Sequence, residues 1–341
     1  MPPSNTCAFL PAAGANPISI GPAPYPTVGK DEIIVNVAAA AVNPIDYYIQ
    51  MLGEKLFPFL KYPYSGGSDV AGTVVEVGSE VSRFKAGDRV LAFAAGFESR
   101  SGGFQNYVVM SSKIASPIPA DLSYAEASVL PLGLSTASCG LYQKDMLALD
   151  HPSLDPKPNG KALLIWAGAS SVGSSAIQLA VASGYEVITT SSPKNFEYCK
   201  KLGASKVFDY HVEAETITRQ LVDAFKGKNC AGGFAVHSGS EGIVFEVVKQ
   251  SSGAKFVACA MHVPETVPEG ITAKMIWAST LKENEVGDVI FADYLPAALA
   301  QKKFKCLPEP VVVGHGLEHL QKAYDLGKSG GVSAQKLVIT L

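Results

Sequence analysis

The chain has 341 residues, a length at which folded proteins usually form about two domains. Hydrophobic residues make up 47% of the sequence and charged residues 17%, which is typical of a compact protein and excludes a disordered or fibrous chain. The net charge of -3 provides no basic surface for nucleic acid or anionic lipid. No apolar run is long enough to span a membrane and no signal peptide is evident, so we expect a cytoplasmic protein.

The first region, from Glu32 to about Val109, consists of short β segments separated by glycine and proline. Strands are predicted at 33–42, 72–78 and 88–94, with a tight turn at 85–88. This spacing predicts an all-β, barrel-like module. From about Ser123 the pattern changes to strands that alternate with helices, which indicates a domain boundary.

The second region begins with a predicted helix from Ala125 to Tyr142, followed by a polar, proline-rich connection at 151–160. A helix is predicted at 174–183. Strands are predicted on both sides of that helix, at 161–166, 186–190, 206–210, 233–238 and 255–261. This βαβαβ layout predicts a doubly wound parallel sheet.

The C-terminal region begins with a predicted helix over 286–303, which ends the second domain. A strand at 311–313, a short helix at 317–327 and a strand at 336–340 then return to a β-rich pattern. We therefore predict an α/β protein in which residues 1–124 and 305–341 form a β-rich catalytic domain. Residues 125–304 form the predicted Rossmann domain.

A glycine-containing turn follows the predicted strand at 161–166 and leads directly into a helix of small residues. Strand, glycine turn and helix in this order are typical of a dinucleotide-binding site, where helix N–H groups face the pyrophosphate. Gly168 is predicted to permit the tight turn and Gly173 to let the helix pack on the strand. Ser170 replaces the middle glycine, and its hydroxyl could donate to phosphate. The alternative is an ordinary strand-to-helix turn without a ligand.

The end of the second predicted Rossmann strand, residues 189–194, carries hydroxyls and a lysine instead of an acid. An acid there would bind the ribose hydroxyl of NAD, whereas donors and a cation suit the 2′-phosphate of NADPH. Glu186 lies at the opposite end of the strand. NADPH is therefore the predicted cofactor, although Lys194 could instead be a solvated surface lysine and 191–192 a simple loop.

Several motifs occur in a characteristic order: 42–48 (VNPIDYY), 67–74 (GSDVAGTV), 85–90 (KAGDRV), 102–108 (GGFQNYV), 130–137 (LPLGLSTA), 170–173 (SSVG) and 331–338 (GVSAQKLV). Together they resemble the zinc-free medium-chain dehydrogenases/reductases, a group that contains quinone oxidoreductases and 2-enoyl reductases. Within that group the chain is similar to the fungal branch of trans-acting enoyl reductases. The resemblance spans the whole chain and implies a GroES-like catalytic domain and a Rossmann domain.

The resemblance also implies cofactor contacts. Ser170, Ser171, Val172 and Gly173 would hold the pyrophosphate, and Ser191, Lys194 and Tyr210 would surround the 2′-phosphate. Pro44, Thr136, Cys259 and Ser333 fall where other members line the cofactor. The alternatives are a half-buried strand tyrosine for Tyr210, a hydroxyl bonded to its own helix for Thr136, and core packing for Cys259.

Metal ligands of zinc-dependent relatives have no counterpart in this sequence. Those relatives carry a cysteine near the position of Asn43, Gly-His-Glu at 67–69, and a cluster of four cysteines. The cysteines of this chain include no C-x-x-C pair, so we expect reduced, mostly buried thiols. His315 and His319 match a short protease-like metal motif, but Gly316 would place His315 outside the helix. No metal is predicted.

Conjugate reduction suits such a site because hydrogen-bond donors suffice to stabilise an enolate, whereas an alkoxide needs a Lewis acid. By the resemblance, Asn43 and Tyr48 are the predicted catalytic donors, and Tyr48 could supply the proton. Alternatively, Asn43 only shapes a turn and Tyr48 is a core tyrosine; Asp46 is interpreted as structural.

The predicted substrate is a small electrophilic alkene or quinone, and the protein is expected to be a monomer or homodimer. The competing functions are reduction of a carrier-bound polyketide on a partner synthase, and NADPH binding with little catalysis.

Overall fold

A computed structural model of the chain describes residues 3–341. These residues form two compact units. The first runs to Leu132 and resumes at Phe291–Leu341, and the second covers Gly133–Ile290. The corresponding limits predicted from the sequence are 124/125 and 304/305, and those limits stay predictions.

The N-terminal part of the first unit is mostly β structure. Its helices are α1 Pro44–Leu52 and α2 Tyr124–Ala127. Its strands are β1 Asn5–Phe9, β2 Ser19–Ala23, β3 Glu32–Ala41, β4 Asp69–Val77, β5 Arg89–Phe93, β6 Tyr107–Ser111 and β7 Ala115–Pro117. A Cβ on Gly72 would lie 2.1 Å from the Asn36 carbonyl oxygen, so β4 passes too close to β3 for any side chain there.

The second unit is a parallel sheet with helices between its strands. The strands are β8 Lys161–Ile165, β9 Glu186–Ser191, β10 Lys206–Asp209, β11 Asn229–Ala235, β12 Phe256–Cys259 and β13 Thr272–Met275. The helices are α3 Pro131–Tyr142, which leads into the unit, α4 Ser171–Ala182, α5 Phe196–Lys201, α6 Ala214–Phe225, α7 Glu241–Gln250 and α8 Glu285–Asp288. The strand order β10-β9-β8-β11-β12-β13 is that of a Rossmann domain.

The C-terminal part of the chain completes the sheet of the first unit. It contains α9 Leu295–Ala300, β14 Glu309–His315, α10 Leu320–Lys328 and β15 Gln335–Thr340. β15 pairs antiparallel with β3, and the sheet order is β14-β15-β3-β4-β5-β7 with β6 also paired to β3. No helix within residues 3–341 is long and apolar enough to cross a membrane.

Short 3₁₀ turns and a π-helix complete the secondary structure. The 3₁₀ turns are Gly53–Lys55, Ser99–Ser101, Ser112–Ile114, Pro193–Asn195, Ala278–Glu283 and Leu317–His319, and the π-helix is Val289–Tyr294.

Two helices predicted as regular differ from the prediction, the first by a break and the second by a π-helical segment, and each contains a proline. The helix predicted over 125–142 is α2 and α3, because Pro131 disfavours helical geometry at Leu130 and itself occupies the first position of α3. The helix predicted over 286–303 is α8, the π-helix and α9. Pro296 has no N–H to continue the helical hydrogen bonds, and α9 ends at Ala300 before Lys302 with φ 57°.

Each unit has its own apolar core. In the first unit, side chains of the central strands, such as Ile33, Val35 and Val90, pack against Leu320 and Ala323 of α10. In the second, Leu164 and Ile188 pack with the buried face of α6, whose Ile217, Leu221 and Phe225 follow helical spacing. The packed sheets hold the ends of the strands in fixed register, and those ends carry the candidate site residues.

Candidate active site

The turn between β8 and α4 carries the predicted pyrophosphate-binding residues. Ser170 is the N-cap of α4, and its hydroxyl accepts a hydrogen bond from the Gly173 N–H over 3.0 Å. The same hydroxyl donates to the Ala167 carbonyl over 2.7 Å, and so does the Ser170 N–H over 3.0 Å. The expected donation of the Ser170 hydroxyl to phosphate is absent from this arrangement, because its hydrogen is directed to Ala167. Ser170 therefore shapes the turn, and its contact with a phosphate stays a prediction.

Close packing accounts for both glycines of this turn. A Cβ on Gly173 would lie 2.2 Å from the Ala167 carbonyl oxygen, so the helix starts directly against the turn, as predicted. A Cβ on Gly168 would lie 2.4 Å from Thr189 Oγ1. The expected role of Gly168 in the turn is wrong in detail: the left-handed conformation belongs to Ala167, with φ 59°, and Gly168 is needed for its approach to β9.

The turn fits an anionic phosphate group. Val172 lies in the first turn of α4, is half-buried, and its N–H makes no hydrogen bond to any residue within 3–341. A Cβ on Gly133 would lie 2.6 Å from Ser171 Oγ, so α3 is held close to the start of α4. A helix N-terminus with an N–H available is a favourable site for pyrophosphate.

The predicted 2′-phosphate residues lie at the carboxyl ends of β9 and β10. The two strands are parallel, and Ser191 is in register with Asp209, directly before Tyr210. Lys194 is exposed in the 3₁₀ turn after β9, and its ammonium makes no ion pair with the described residues. Tyr210 is 42% exposed and its ring lies 4.2 Å from that of His211. The structure thus brings Ser191, Lys194 and Tyr210 to one edge of the sheet.

The surroundings of Ser191 and Asp209 differ from those predicted for a 2′-phosphate site. Ser191 is 1% exposed and its hydroxyl donates to the Ser192 carbonyl, so it is less available than Lys194. Asp209 is an acid that the sequence analysis did not consider, although its place at the end of a strand could have revealed it. The His211 N–H and ring bond to its carboxylate, over 3.0 Å and 2.6 Å, and lower its pKa. Its charge is therefore partly satisfied within the loop.

Thr136 and Cys259 lie elsewhere in the second unit. Thr136 is buried in α3, and Cys259 is buried at the carboxyl end of β12, three places from β9 in the sheet order. Burial raises the pKa of the Cys259 thiol to about 12, so it is not a reactive thiolate. All the cysteines are free thiols and, apart from the partly exposed Cys306, buried, as expected.

In the first unit, Asn43 belongs to a buried cluster of polar side chains at the start of α1. Asn43 Nδ2 donates to Asp69 Oδ2 over 2.8 Å, and Lys336 Nζ lies 2.9 Å from the same carboxylate oxygen. Lys336 Nζ also donates to Asn43 Oδ1, and the Leu132 N–H donates to Asp69 Oδ1. We call Asn43, Asp69 and Lys336 the buried triad. Sequence analysis missed Lys336, which stands 293 residues from Asn43.

Asp46 is structural, as interpreted from the sequence. Asn43 is the N-cap of α1, and its N–H donates to Asp46 Oδ2 over 2.8 Å in a capping box, with Pro44 as the first residue of the helix. Burial raises the pKa of the Asp46 carboxyl to about 7, against the opposing hydrogen bond from the Asn43 N–H. Asn43 thus both caps the helix and belongs to the buried triad.

Tyr48 lies on the opposite side of α1 from Asp46 and Ile49, which are buried. It is 38% exposed, its ring lies 5.1 Å from that of Tyr47, and its hydroxyl makes no hydrogen bond to the described residues. It is therefore not a core tyrosine with a bonded hydroxyl, and a donor role stays a prediction. Ser333 is half-buried and lies two residues before the start of β15.

By the resemblance, Asn43, Ser68 and Asp69 stand at positions where zinc-dependent relatives carry ligands, and the ammonium of Lys336 bonds to Asn43 and Asp69. Elsewhere within residues 3–341, no three His, Cys, Asp or Glu side chains are grouped so as to hold a metal ion. His315 ends β14 and Gly316, with φ 102°, separates it from the 3₁₀ turn that contains His319.

The chain is similar to known dehydrogenases and reductases. Residues 29–120 match the alcohol dehydrogenase GroES-like domain. The chain is 49% identical to dehydrogenase azaJ of Aspergillus niger, over 99% of each chain, and 38% identical to trans-enoyl reductase himH of Aspergillus japonicus, over 99% of this chain and 97% of the relative.

The fold matches that of solved structures. A quinone oxidoreductase of Pseudomonas syringae superposes over 99% of this chain and 100% of that chain, with a TM-score of 0.76 and 22% identity. The expected fold class, a GroES-like β-rich domain with a Rossmann domain, is therefore confirmed. With the relatives above, these findings establish that the chain is an oxidoreductase of the medium-chain dehydrogenase/reductase family.

Proposed function

We propose that the protein reduces an activated C=C bond, of an enone or enoyl compound, or a quinone, with NADPH and without a metal. The proposal rests on two features that occur together in this chain. The turn at 167–173 offers the Val172 N–H at a helix N-terminus, and Asn43 and Asp69, two of the positions where zinc-dependent relatives carry ligands, are bonded to Lys336. Hydrogen-bond donors can stabilise an enolate, but they replace a Lewis acid poorly at an alkoxide.

NADPH would be held by the second unit through Ser171, Val172 and Gly173 at the start of α4, with Lys194 and Tyr210 at the 2′-phosphate. The bound cofactor would supply the hydride. Lys194 supports NADPH over NADH because its exposed ammonium stands past the end of β9, where an NAD site carries an acid. Asp209 opposes this preference, but it is bonded to His211.

The first unit would stabilise the negative charge that develops on the substrate carbonyl oxygen. Asn43 has a second hydrogen on Nδ2 besides the one it donates to Asp69. Tyr48 presents an exposed phenol whose hydroxyl has no partner in the described structure, so it can donate a proton to the substrate carbon or oxygen. These roles predict a reductase with little activity toward simple alcohols.

The experiment is a screen of NADPH oxidation against quinones, aryl enones and enoyl thioesters, together with NADP⁺ reduction by simple alcohols. We expect turnover with at least one of the electrophiles and little with alcohols. Turnover of alcohols alone would contradict the proposal. NADPH binding without turnover of any electrophile would favour a binding protein.

The pyrophosphate site can be tested separately by binding. Gly173→Ala places a Cβ 2.2 Å from the Ala167 oxygen, so it should weaken NADPH binding at least ten-fold. Gly242→Ala is the matched control, because a Cβ there meets nothing within 4 Å and alanine favours the α7 helix. Equal affinity in the two variants would remove the turn from the cofactor site.

A second candidate substrate is an enoyl thioester on a carrier protein. The relative named trans-enoyl reductase himH favours it, because it is 38% identical over nearly the whole of both chains. Reduction of a carrier-bound thioester, with no reduction of the free acid or of small enones, would establish this more specific function.

A further inference from the structure

The buried triad places two opposite charges directly beside the proposed oxyanion donor. Asp69 is 0% exposed and Lys336 5% exposed, and their charged atoms lie 2.9 Å apart. Asn43, 3% exposed, bonds to both: its Nδ2 donates to Asp69 and its Oδ1 accepts from Lys336. Since lysine only donates and a carboxylate only accepts, this arrangement fixes which end of the Asn43 amide faces each partner.

We propose that Lys336 is a positioning residue for the reduction, which acts by cancelling the charge of Asp69 beside Asn43. This inference rests on the proposed function, in which Asn43 donates to the developing enolate. Without the ammonium, the enolate would form beside an uncompensated buried carboxylate that shares the same amide group. Like charges in a poorly solvated site repel strongly, so Asn43 would be a poor oxyanion donor.

The ammonium has a second effect in the same direction. A hydrogen bond to Asn43 Oδ1 withdraws electron density from the amide and makes its N–H groups stronger donors. Asp69 holds the triad in place, because its other oxygen accepts from the Leu132 N–H at the start of α3. Lys336 is therefore a fixed internal cation that acts through an asparagine.

If Lys336 acts through its charge, the effect of each substitution on kcat depends on the sign of the buried charge that remains. A purely structural role would not show this dependence. Lys336→Met leaves an anion beside Asn43, Asp69→Asn leaves a cation, and the double variant leaves neither. We expect kcat for the electrophile to fall about 10- to 100-fold in Lys336→Met, and to be at least ten-fold higher in Asp69→Asn than in Lys336→Met. The double variant should recover most of the loss, and Lys336→Arg should keep kcat within about three-fold.

Folding and cofactor binding are monitored in the same set. Each variant is compared by thermal unfolding and by NADPH affinity, and Lys328→Met serves as the matched control. Lys328 is a partly buried lysine of the same unit that bonds to Gln50 and lies outside the proposed machinery. Lys336→Arg and the double variant keep the test decisive if Lys336→Met does not fold. A structural role predicts losses in both single charge variants alike.

A binding assay separates this inference from the reaction itself. The dissociation constant of 4-nitrophenolate, an oxyanion with a visible spectrum, is measured with the NADP⁺-loaded protein and requires no turnover. We expect Lys336→Met to weaken its binding about ten-fold or more, and Asp69→Asn not to weaken it. Equal phenolate binding in the two variants, or no phenolate binding by the unmodified protein, would overturn the inference. Absence of alkene or quinone reduction would overturn only the proposed function.

Discussion

The Ser170 hydroxyl accepts a hydrogen bond from the Gly173 N–H at 3.0 Å and so caps the helix that follows the Rossmann turn. The Gly173 N–H is therefore satisfied within the protein and is not left for a ligand. The N-terminal charge of α4 is thereby reduced by one donor but not abolished, since Val172 keeps its N–H.

Ser170→Ala should lower the free energy of unfolding by about 1 kcal/mol, because the cap is lost and Gly173 N–H becomes unsatisfied. Ser170→Gly should cost only a few tenths of this, since glycine is tolerated at an N-cap. Urea unfolding measures both. Ser123→Ala, which removes the cap of α2 instead of that of α4, is the control. NADPH affinity is measured as well and should be unchanged in this control. No stability loss in Ser170→Ala would show that the capping bond is not formed in solution.

Lys194→Ala should weaken NADPH binding about 10- to 150-fold and leave NADH binding nearly unchanged, because a charge-assisted hydrogen bond contributes about 1.5–3 kcal/mol. The dissociation constants are obtained by titrating the intrinsic or cofactor fluorescence. Lys200→Ala provides the control, since Lys200 is bonded to Glu197 on the nearby α5. If both cofactors weaken equally, Lys194 does not recognise the phosphate.

The purified protein should contain no stoichiometric zinc, because Asn43 and Asp69 are engaged with Lys336 and Ser68 is not a zinc ligand. Elemental analysis after dialysis provides the measurement. About one zinc per chain, removed by a chelator together with activity, would be the contrary result.

Local sequence patterns predicted most of the Rossmann unit. β8 and β9 are short apolar runs with glycine turns, and the helix that follows β8 was predicted from the strand, turn and helix order. β13 was missed because it is a half-exposed edge strand, TAKM, without an apolar run. The break in the helix predicted at 125–142 shows that helical periodicity alone cannot outweigh a proline.

The candidate site was only partly predictable. Asn43 and Tyr48 were identifiable from one motif, but the partners of Asn43 are 26 and 293 residues away, at Asp69 and Lys336. The contact between Asn43 and Lys336 depends on the pairing of β15 with β3. No local sequence pattern predicts which lysine this pairing buries. Ser191 is buried whereas Lys194 is exposed, and this difference could not be predicted because both belong to the same polar segment.

Tyr48→Phe should lower turnover about 10- to 1000-fold and leave NADPH affinity within a few-fold, because the lost hydrogen bond would strengthen only in the transition state. Steady-state kinetics with the best electrophile provides the measurement. Tyr47→Phe is the matched control: it makes the same change one residue earlier, on a ring that packs 6.5 Å from Tyr324. Unchanged turnover in Tyr48→Phe would assign proton donation to water or to a ribose hydroxyl of the cofactor.

The pH dependence of stability should reveal the buried Asp46 carboxyl. Burial raises its pKa to about 7 in the folded protein, above its value in the unfolded chain, so the folded state binds this proton more tightly. Its contribution to stability is therefore fully present below about pH 4 and is lost as the pH rises to about 7, at about 1.4 kcal/mol per pH unit between them. In Asp46→Asn this dependence is absent, so the variant should gain stability relative to the unmodified protein as the pH rises through that window, and the difference should become constant above it. Urea unfolding from pH 4.5 to 8 gives the difference curve.

Asp88→Asn is a control of opposite sign. Slight burial raises the pKa of Asp88, but the hydrogen bonds from Lys85 outweigh this effect and lower it, so the contribution of Asp88 to stability is lost as the pH falls. A pH-independent difference for Asp46→Asn would mean that this carboxyl titrates normally and that its burial is relieved in solution.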